Sequence, residues 1–156
     1  MGSVNSTTED PVGDIYNAEA EAAVIGGVLI QPALIRSLHF LVAEDFFLNK
    51  NQEIWAAITR LSEQNLDIDS VLVRSVAPDM HSSYLEECIT LVPTALHTVS
   101  YARVVKGCSI RRRTIQLLAQ AAGVLLKDQH NVAAILERLL VRINELLKEY
   151  QAGGEE

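Results

Sequence analysis

The segment Thr98–Leu126, TVSYARVVKGCSIRRRTIQLLAQAAGVLL, decides the fold predicted for this chain. It contains no proline, and its apolar residues recur at the spacing of an α-helix. One apolar stripe is expected to face the core of the protein: Val104, Cys108, Ile115, Leu118, Ala122, Leu125 and Leu126. A second stripe lies on another side of the helix: Ile110, Leu117, Ala121 and Val124. A helix with two apolar sides has to bury both, so we expect a second partner for it, in the chain or in another molecule.

A second helix follows and is predicted to fold back on the first. After the turn residues DQHN, apolar side chains recur in a heptad pattern: Val132, Leu136, Leu139, Ile143, Leu146 and Tyr150. This spacing indicates an antiparallel hairpin or a coiled coil. We therefore predict a helical hairpin over residues 96–150 and the start of a linker at residues 151–156.

The residues before the hairpin predict a tail and a helical head. Residues 1–16 are rich in Ser, Thr, Asn, Asp, Gly and Pro and are expected to form a disordered tail. Residues 17–95 contain several short helical patterns separated by turn residues, which indicates a globular helical head. The predicted fold class is all-α, with a globular multi-helix head followed by a long antiparallel helical hairpin.

The helices of the head have recognisable start signals and core faces. Residues suited to capping helix N-termini are Asn17, Asn49 or Asn51, and Asp69. The segment QEIWAAITRLSEQ has a predicted core face at Ile54, Trp55, Ile58 and Leu61. Gly26 and Gly27 lie inside the first helix, and we interpret them as the place where another helix crosses at close range.

Composition narrows the functional classes. The net charge of −7 argues against general affinity for nucleic acids, although residues 1–95 carry −10 and residues 96–156 carry +3. The two cysteines, Cys88 and Cys108, have no metal-binding or disulfide-framework spacing. No apolar run is long enough to span a membrane, and no basic segment precedes one as in a signal peptide, so we expect a cytoplasmic protein without membrane partners.

No group of residues has the pattern of a catalytic, cofactor-binding or metal site. The four histidines are scattered, and no glycine-rich phosphate loop is present. The basic run Arg111, Arg112 and Arg113 is interpreted as a solvated helix face with nearby carboxylate partners. The alternative interpretation is a helical nucleic-acid-binding module that uses the Arg111–Arg113 cluster.

Several signatures in one order resemble a known family. They are AEAEAAVIGGVLIQP, the segment EDFFLNKNQEIWAAITRLSEQNLDID, and SYLEECITLVPTALHTVSYARVVKGCSIRRRTI. This succession is similar to the N-terminal domain of the DnaB-family replicative DNA helicases of bacteria and phages. The resemblance spans about Asn17 to Tyr150.

The resemblance implies a fold, a function and partners. In that family the helical hairpins are oligomerisation elements, and six copies form a collar as a trimer of dimers. The same domain binds the C-terminal domain of primase, so the expected partner is primase, a helicase loader or both, with DNA contacted only through the assembled ring. The family's ATPase motor lies beyond a linker and no Walker motif occurs here, so no ATPase activity and no cofactor are expected of this chain.

Individual residues can be carried over from the resemblance. Positions that match the family's primase contacts are Glu19, Tyr84, Ile115 and Ala121. Candidates for self-association on the hairpin are Ile110, Leu117, Val124 and Val141. Ile115 also belongs to the stripe predicted to face the core, so these two assignments compete for it.

Overall fold

A computed structural model describes residues 12–77, 82–127 and 130–154. Across these ranges six α-helices and three short 3₁₀ helices follow one another, without a strand. The α-helices are α1 (Ala18–Ile30), α2 (Asn49–Glu63), α3 (Ser70–Val76), α4 (Ser82–Leu91), α5 (Thr98–Lys127) and α6 (Val132–Gly154). The 3₁₀ helices are Pro32–Leu38, Ala43–Asp45 and Ala95–His97. The predicted all-α class is confirmed, with α1 to α4 in the head and α5 and α6 in the hairpin.

Helix α1 is the centre of the head and packs against both α4 and α5. Its backbone is approached closely at the two glycines, as predicted. A Cβ atom built on Gly26 would lie 2.0 Å from the carbonyl oxygen of Cys88 in α4. One built on Gly27 would lie 1.9 Å from Oγ1 of Thr98 in α5. Only glycine leaves room for both neighbouring helices at these positions.

Helix α2 supplies the largest side chains of the core. The predicted face is confirmed, because Ile54, Trp55, Ile58 and Leu61 are all buried. The ring of Phe46 packs 5.2 Å from that of Trp55, and the indole Nε1 donates to the carbonyl of Leu41 at 3.4 Å. Aromatic packing of this kind anchors the chain between α1 and α2.

The predicted caps are right for α1 and α3 and wrong for α2. Asn17 accepts from the amide of Ala20 at 2.8 Å, and Asp69 accepts from the first amides of α3. Helix α2 instead begins at Asn49 with Leu48 as its N-cap residue, which has no capping side chain. Asn51 is instead buried within the first turn, where its side chain donates a hydrogen bond to a carboxylate of α1 described below.

Helix α5 buries a different face from the one predicted. Its buried residues are Thr98, Ala102, Val105, Lys106, Ser109 and Arg112. The stripe expected in the core is largely exposed, with Val104, Leu118, Leu125 and Leu126 open to solvent. Apolar spacing misled here because the head contacts α5 through Ala102 and Val105 and also through polar and charged side chains that have partners in the head.

Helix α6 is also rotated relative to the prediction. Ile135 and Gly153 are its buried residues, whereas Val132, Leu136, Ile143 and Tyr150 of the predicted seam are exposed. The helix continues to Gly154, so residues 151–154 are helical and do not start an irregular linker.

The predicted tail is structured where the structure describes it. Val12 is buried, and the ring of Tyr16 stacks on Phe47 with centroids 4.3 Å apart. The rest of the predicted tail, residues 1–11, lies outside the described residues, and so do residues 155 and 156. The remaining domain bounds stay predictions.

The close helix crossing predicts a large cost for a single methyl group. Gly26→Ala should lower the free energy of unfolding by about 3 kcal/mol, because the new Cβ meets backbone that cannot rotate away. The matched control is Gly123→Ala in α5, where nothing lies within 4 Å of the new Cβ. That change should raise stability by up to about 1 kcal/mol. Urea unfolding followed by circular dichroism measures both, and equal stability of the two variants would contradict the close crossing.

Candidate docking and self-association surfaces

Asp45 and Lys106 form a buried ion pair that seats α5 on the head. The Nζ atom of Lys106 lies 3.0 Å from Oδ2 of Asp45, and their side chains are 5% and 1% exposed. Ser109 donates to Oδ1 of Asp45 at 2.7 Å, and the amide of Val42 donates to Oδ2 at 2.9 Å. These donors satisfy the hydrogen-bonding capacity of the buried carboxylate, which offsets the cost of burying the ion pair.

Glu149 ties α6 to the same cluster. Its carboxylate accepts from both Nη atoms of Arg113, at 3.2 and 2.6 Å, and lies 3.3 Å from Nζ of Lys106. The hydrogen bonds from Arg113 hold the pKa of Glu149 below its ordinary value. A carboxyl group with a lowered pKa stabilises the folded state at neutral pH, and this contribution is lost as the pH falls through the lowered pKa.

The three arginines of the basic run do not form one surface. Arg111 is exposed, and Arg113 is engaged by Glu149. Arg112, predicted to be solvated, is buried: its Nη1 donates to the carbonyl of Ile15 and its Nη2 to that of Asp45, both at 2.8 Å. Adjacent residues on a helix point about 100° apart, so a run of three cannot face one partner.

Glu21 lies in the first turn of α1, and its side chain reaches the start of another helix. Its buried carboxylate accepts from the amides of Phe47 and Leu48, at 2.6 and 3.3 Å, where α2 begins. Asn51 adds a side-chain hydrogen bond at 2.8 Å. Glu21 thus caps α2 from another helix. The available signal was a carboxylate inside a helix that is apolar on every side.

Tyr84 extends this network towards the surface. Its hydroxyl donates to Oδ1 of Asn51 at 2.8 Å, and Nζ of Lys50 lies 3.6 Å from the centre of its ring. Burial raises the pKa of the Tyr84 phenol above its ordinary value, and it raises the pKa of the neighbouring Cys88 thiol to about 11. Tyr84 is therefore a half-buried neutral donor with one side of its ring covered by a cation.

The four primase-contact candidates lie on three different helices or helix faces and differ in exposure. Glu19 is exposed in the first turn of α1, and Tyr84 is half-buried in α4. Ile115 and Ala121 are both half-buried in α5, but their six-residue spacing separates them by about 120° around the helix. Ala121 lines the groove between α5 and α6, so it faces the hairpin itself.

The self-association candidates also divide into two groups. Leu117 and Val124 line the groove of about 350 Å³ between α5 and α6, together with Ile135 and Leu139. Ile110 is half-buried, whereas Val141 is exposed. The second α5 stripe thus contributes to packing within the hairpin.

The hairpin carries exposed apolar side chains on both of its helices. On α5 they are Val104, Leu118, Leu125 and Leu126, which belong to the stripe predicted for the core. On α6 they are Val132, Leu136, Leu140, Ile143, Leu147 and Tyr150, which share one side of the helix. We call these two sets the outward stripes. Exposed apolar side chains concentrated in this way make the outward stripes a candidate interaction surface.

The part of the chain that the structure describes has neither a metal-binding cluster nor a helix suited to crossing a membrane. No group of three or more His, Cys, Asp or Glu side chains could hold a metal ion there. None of the helices described has the length and apolar character needed to cross a membrane.

Comparison with known proteins identifies the family. The sequence profile of the DnaB-like helicase N terminal domain matches residues 14–107, more than half of the chain. The chain belongs to the DnaB-like helicase N-terminal domain family. The predicted resemblance is therefore confirmed for the head and the first part of α5.

Curated relatives of this DnaB-family domain are replicative DNA helicases. The helicase DnaB of Geobacillus stearothermophilus is 29% identical over 144 residues, which are 87% of this chain and 32% of the relative. The helicase DnaC of Bacillus subtilis is 30% identical over 141 residues, 85% of this chain and 30% of the relative. The chain spans about a third of the length of these relatives and matches their N-terminal domain, so the 156 residues contain no helicase motor.

Solved structures share the fold. The N-terminal domain of DnaB helicase from Mycobacterium tuberculosis superimposes with a TM-score of 0.74 at 24% identity, covering 83% of this chain and 97% of that one. A DnaB-like replicative helicase, described with its interactions with primase, superimposes with a TM-score of 0.67 at 22% identity. It covers 85% of this chain and 35% of that chain.

Because Glu21 caps α2, we expect the stability of the domain to depend strongly on this one carboxylate. Glu21→Gln should lower the free energy of unfolding by about 3 kcal/mol, because the amide group replaces a charged acceptor with a donor among buried amides. Glu19→Gln, in the same helical turn but exposed, should cost less than about 1 kcal/mol. Chemical denaturation of both variants measures the difference. A similar loss in the two would mean that Glu21 acts only on the α1 dipole.

Proposed function

We propose that this domain is the collar and docking module of a replicative DNA helicase. It associates with further copies of itself through the outward stripes, forming dimers and then a trimer of dimers, and it binds the C-terminal domain of primase. The unwinding activity belongs to the whole helicase, of which this chain spans a third by comparison with its relatives. The observation that carries the proposal is the exposed apolar surface along both helices of the hairpin.

The outward stripes support self-association on energetic grounds. Leu140 is 60% exposed and Leu126 is 84% exposed, although both lie in well-formed helices. Covering one such leucine is worth about 1.5–3 kcal/mol, so a surface with several of them gains substantially from a partner. Helices with heptad-spaced apolar residues bury these residues against each other when they pair, which makes a second hairpin a suitable partner.

Primase binding is proposed for the head around Tyr84 and Glu19. A helicase with the same fold is described with its interactions with primase, which supports the same class of partner here. Tyr84 offers part of an aromatic ring that is held by Asn51 and Lys50. Rigid aromatic side chains of this kind provide much of the binding energy in protein interfaces.

If the exposed stripe of α6 is a self-association surface, one charge introduced there should weaken self-association. Leu140→Asp should weaken self-association about thirtyfold, because a leucine worth about 2 kcal/mol is replaced by a charge that resists desolvation. Analytical ultracentrifugation over a range of concentrations measures this shift, and circular dichroism checks that helicity is retained.

Two further variants make this test specific. Leu66→Asp changes an exposed leucine of the head and should leave the oligomer unchanged. Leu117→Asp lies in the groove between α5 and α6 and should lower the melting temperature as well. A different outcome is that Leu117→Asp dissociates the oligomer without loss of stability, whereas Leu140→Asp leaves the oligomer intact. That result would place the interface on the second α5 stripe defined from the sequence.

Primase binding can be measured by calorimetry with the isolated C-terminal domain of primase. Tyr84→Ala should weaken binding about fivefold or more, since the aromatic surface is lost. Tyr84→Phe keeps the ring and loses only the hydrogen bond to Asn51, so its affinity should stay close to that of the wild type. Equal weakening by both variants, in step with their melting temperatures, would assign Tyr84 to the structure of the head.

A further inference from the structure

Helix α6 buries few of its residues against the rest of the protein. Of its twenty-three residues, Ile135 and Gly153 are the buried ones, and they lie near its two ends. Among the described residues, the main apolar core draws side chains from α1 to α5 and none from α6. Segments with few buried apolar contacts open at a lower free energy than the fold as a whole.

The C-terminal end of α6 is instead fastened by polar contacts. Glu149 accepts from Arg113 and Lys106, and one turn later the carbonyl of Gly153 accepts from Nε of Arg103 at 3.0 Å. A Cβ atom on Gly153 would lie 3.2 Å from the ring of Phe40, so the last turn rests directly on the head. Arg103, Lys106 and Arg113 of α5 thus form hydrogen bonds to two residues of α6, Glu149 and Gly153.

The charged groups of α5 and the head keep hydrogen-bonding partners when these contacts open. Glu149 is 43% exposed, so its carboxylate is readily hydrated when it leaves. Asp45 keeps Lys106 and Ser109 as partners in its absence. The buried Nε atom of Arg113 has no hydrogen-bond partner in the described structure, so the closed arrangement also carries an uncompensated cost.

We propose that the contacts of Glu149 and Gly153 with α5 form a latch that alternates between closed and open states. In the closed state, described here, the end of α6 rests against Phe40 and Lys106. In the open state the last turns of α6 swing away, while α5 and the head keep their packing. This inference does not depend on primase binding or on self-association.

Distances between two nitroxide labels, measured by double electron–electron resonance, test the latch in the intact chain. Nitroxide labels are placed on Ser37→Cys in the head and Gln151→Cys in α6, both exposed, in a Cys108→Ser background. Cys88 is buried and stays unlabelled. Dilution with unlabelled protein restricts the signal to distances within one chain. Glu149→Gln should increase the displaced fraction of the distance distribution about fivefold, because one charged pair is lost.

Two controls decide between the latch and its alternatives. Glu145→Gln removes a carboxylate that pairs with Arg142 on the surface of the same helix, and it should leave the distribution unchanged. A label pair on Ser37→Cys and Glu53→Cys reports on the head alone and should be unaffected by Glu149→Gln. The proposal is overturned if Glu149→Gln leaves the α6 distance unchanged, if it broadens the head distance as well, or if Glu145→Gln has the same effect.

Discussion

The buried pair of Asp45 and Lys106 determines how the rest of the molecule is arranged. Asp45 stands at the end of a 3₁₀ helix in the head, and Lys106 lies about two turns into α5. Their pairing selects the face of α5 that meets the head, and Ser109 and Arg112 follow on the same face. Removing one partner would leave a buried charge uncompensated, at a cost of about 3–5 kcal/mol. The orientation of the hairpin therefore depends on this electrostatic requirement as well as on the apolar packing of Ala102 and Val105 in the core.

That orientation also explains why the hairpin has exposed apolar stripes. The face of α5 that carries Lys106 and Arg112 meets the head, and its second stripe lines the groove with α6. The remaining apolar side chains of α5 are therefore exposed. The same holds for α6, whose inner side carries Glu149 and Gly153 at the end that meets the head. This apolar surface is left uncovered within one chain, which is the basis for the self-association proposed above.

A second buried carboxylate organises the head. Glu21 of α1 caps α2 across the core, and through Asn51 it also positions the hydroxyl of Tyr84. The surface around Tyr84 is thus built on the same hydrogen bonds that start α2. An aromatic side chain held in this way would lose little side-chain entropy on binding a partner, which fits the docking role proposed for Tyr84.

The sequence by itself determined the helices, the all-α class, the core face of α2, the close crossing at Gly26 and the family. These features follow from local spacing, from capping residues and from motifs, all of which a single chain displays. Only the tertiary structure decided which faces of α5 and α6 are buried, how α2 is capped and where Arg112 lies. The physical reason is that a charged residue can be buried when a distant residue supplies its partner. Asp45 and Lys106 are 61 residues apart, and no periodic pattern in either segment records that they will meet.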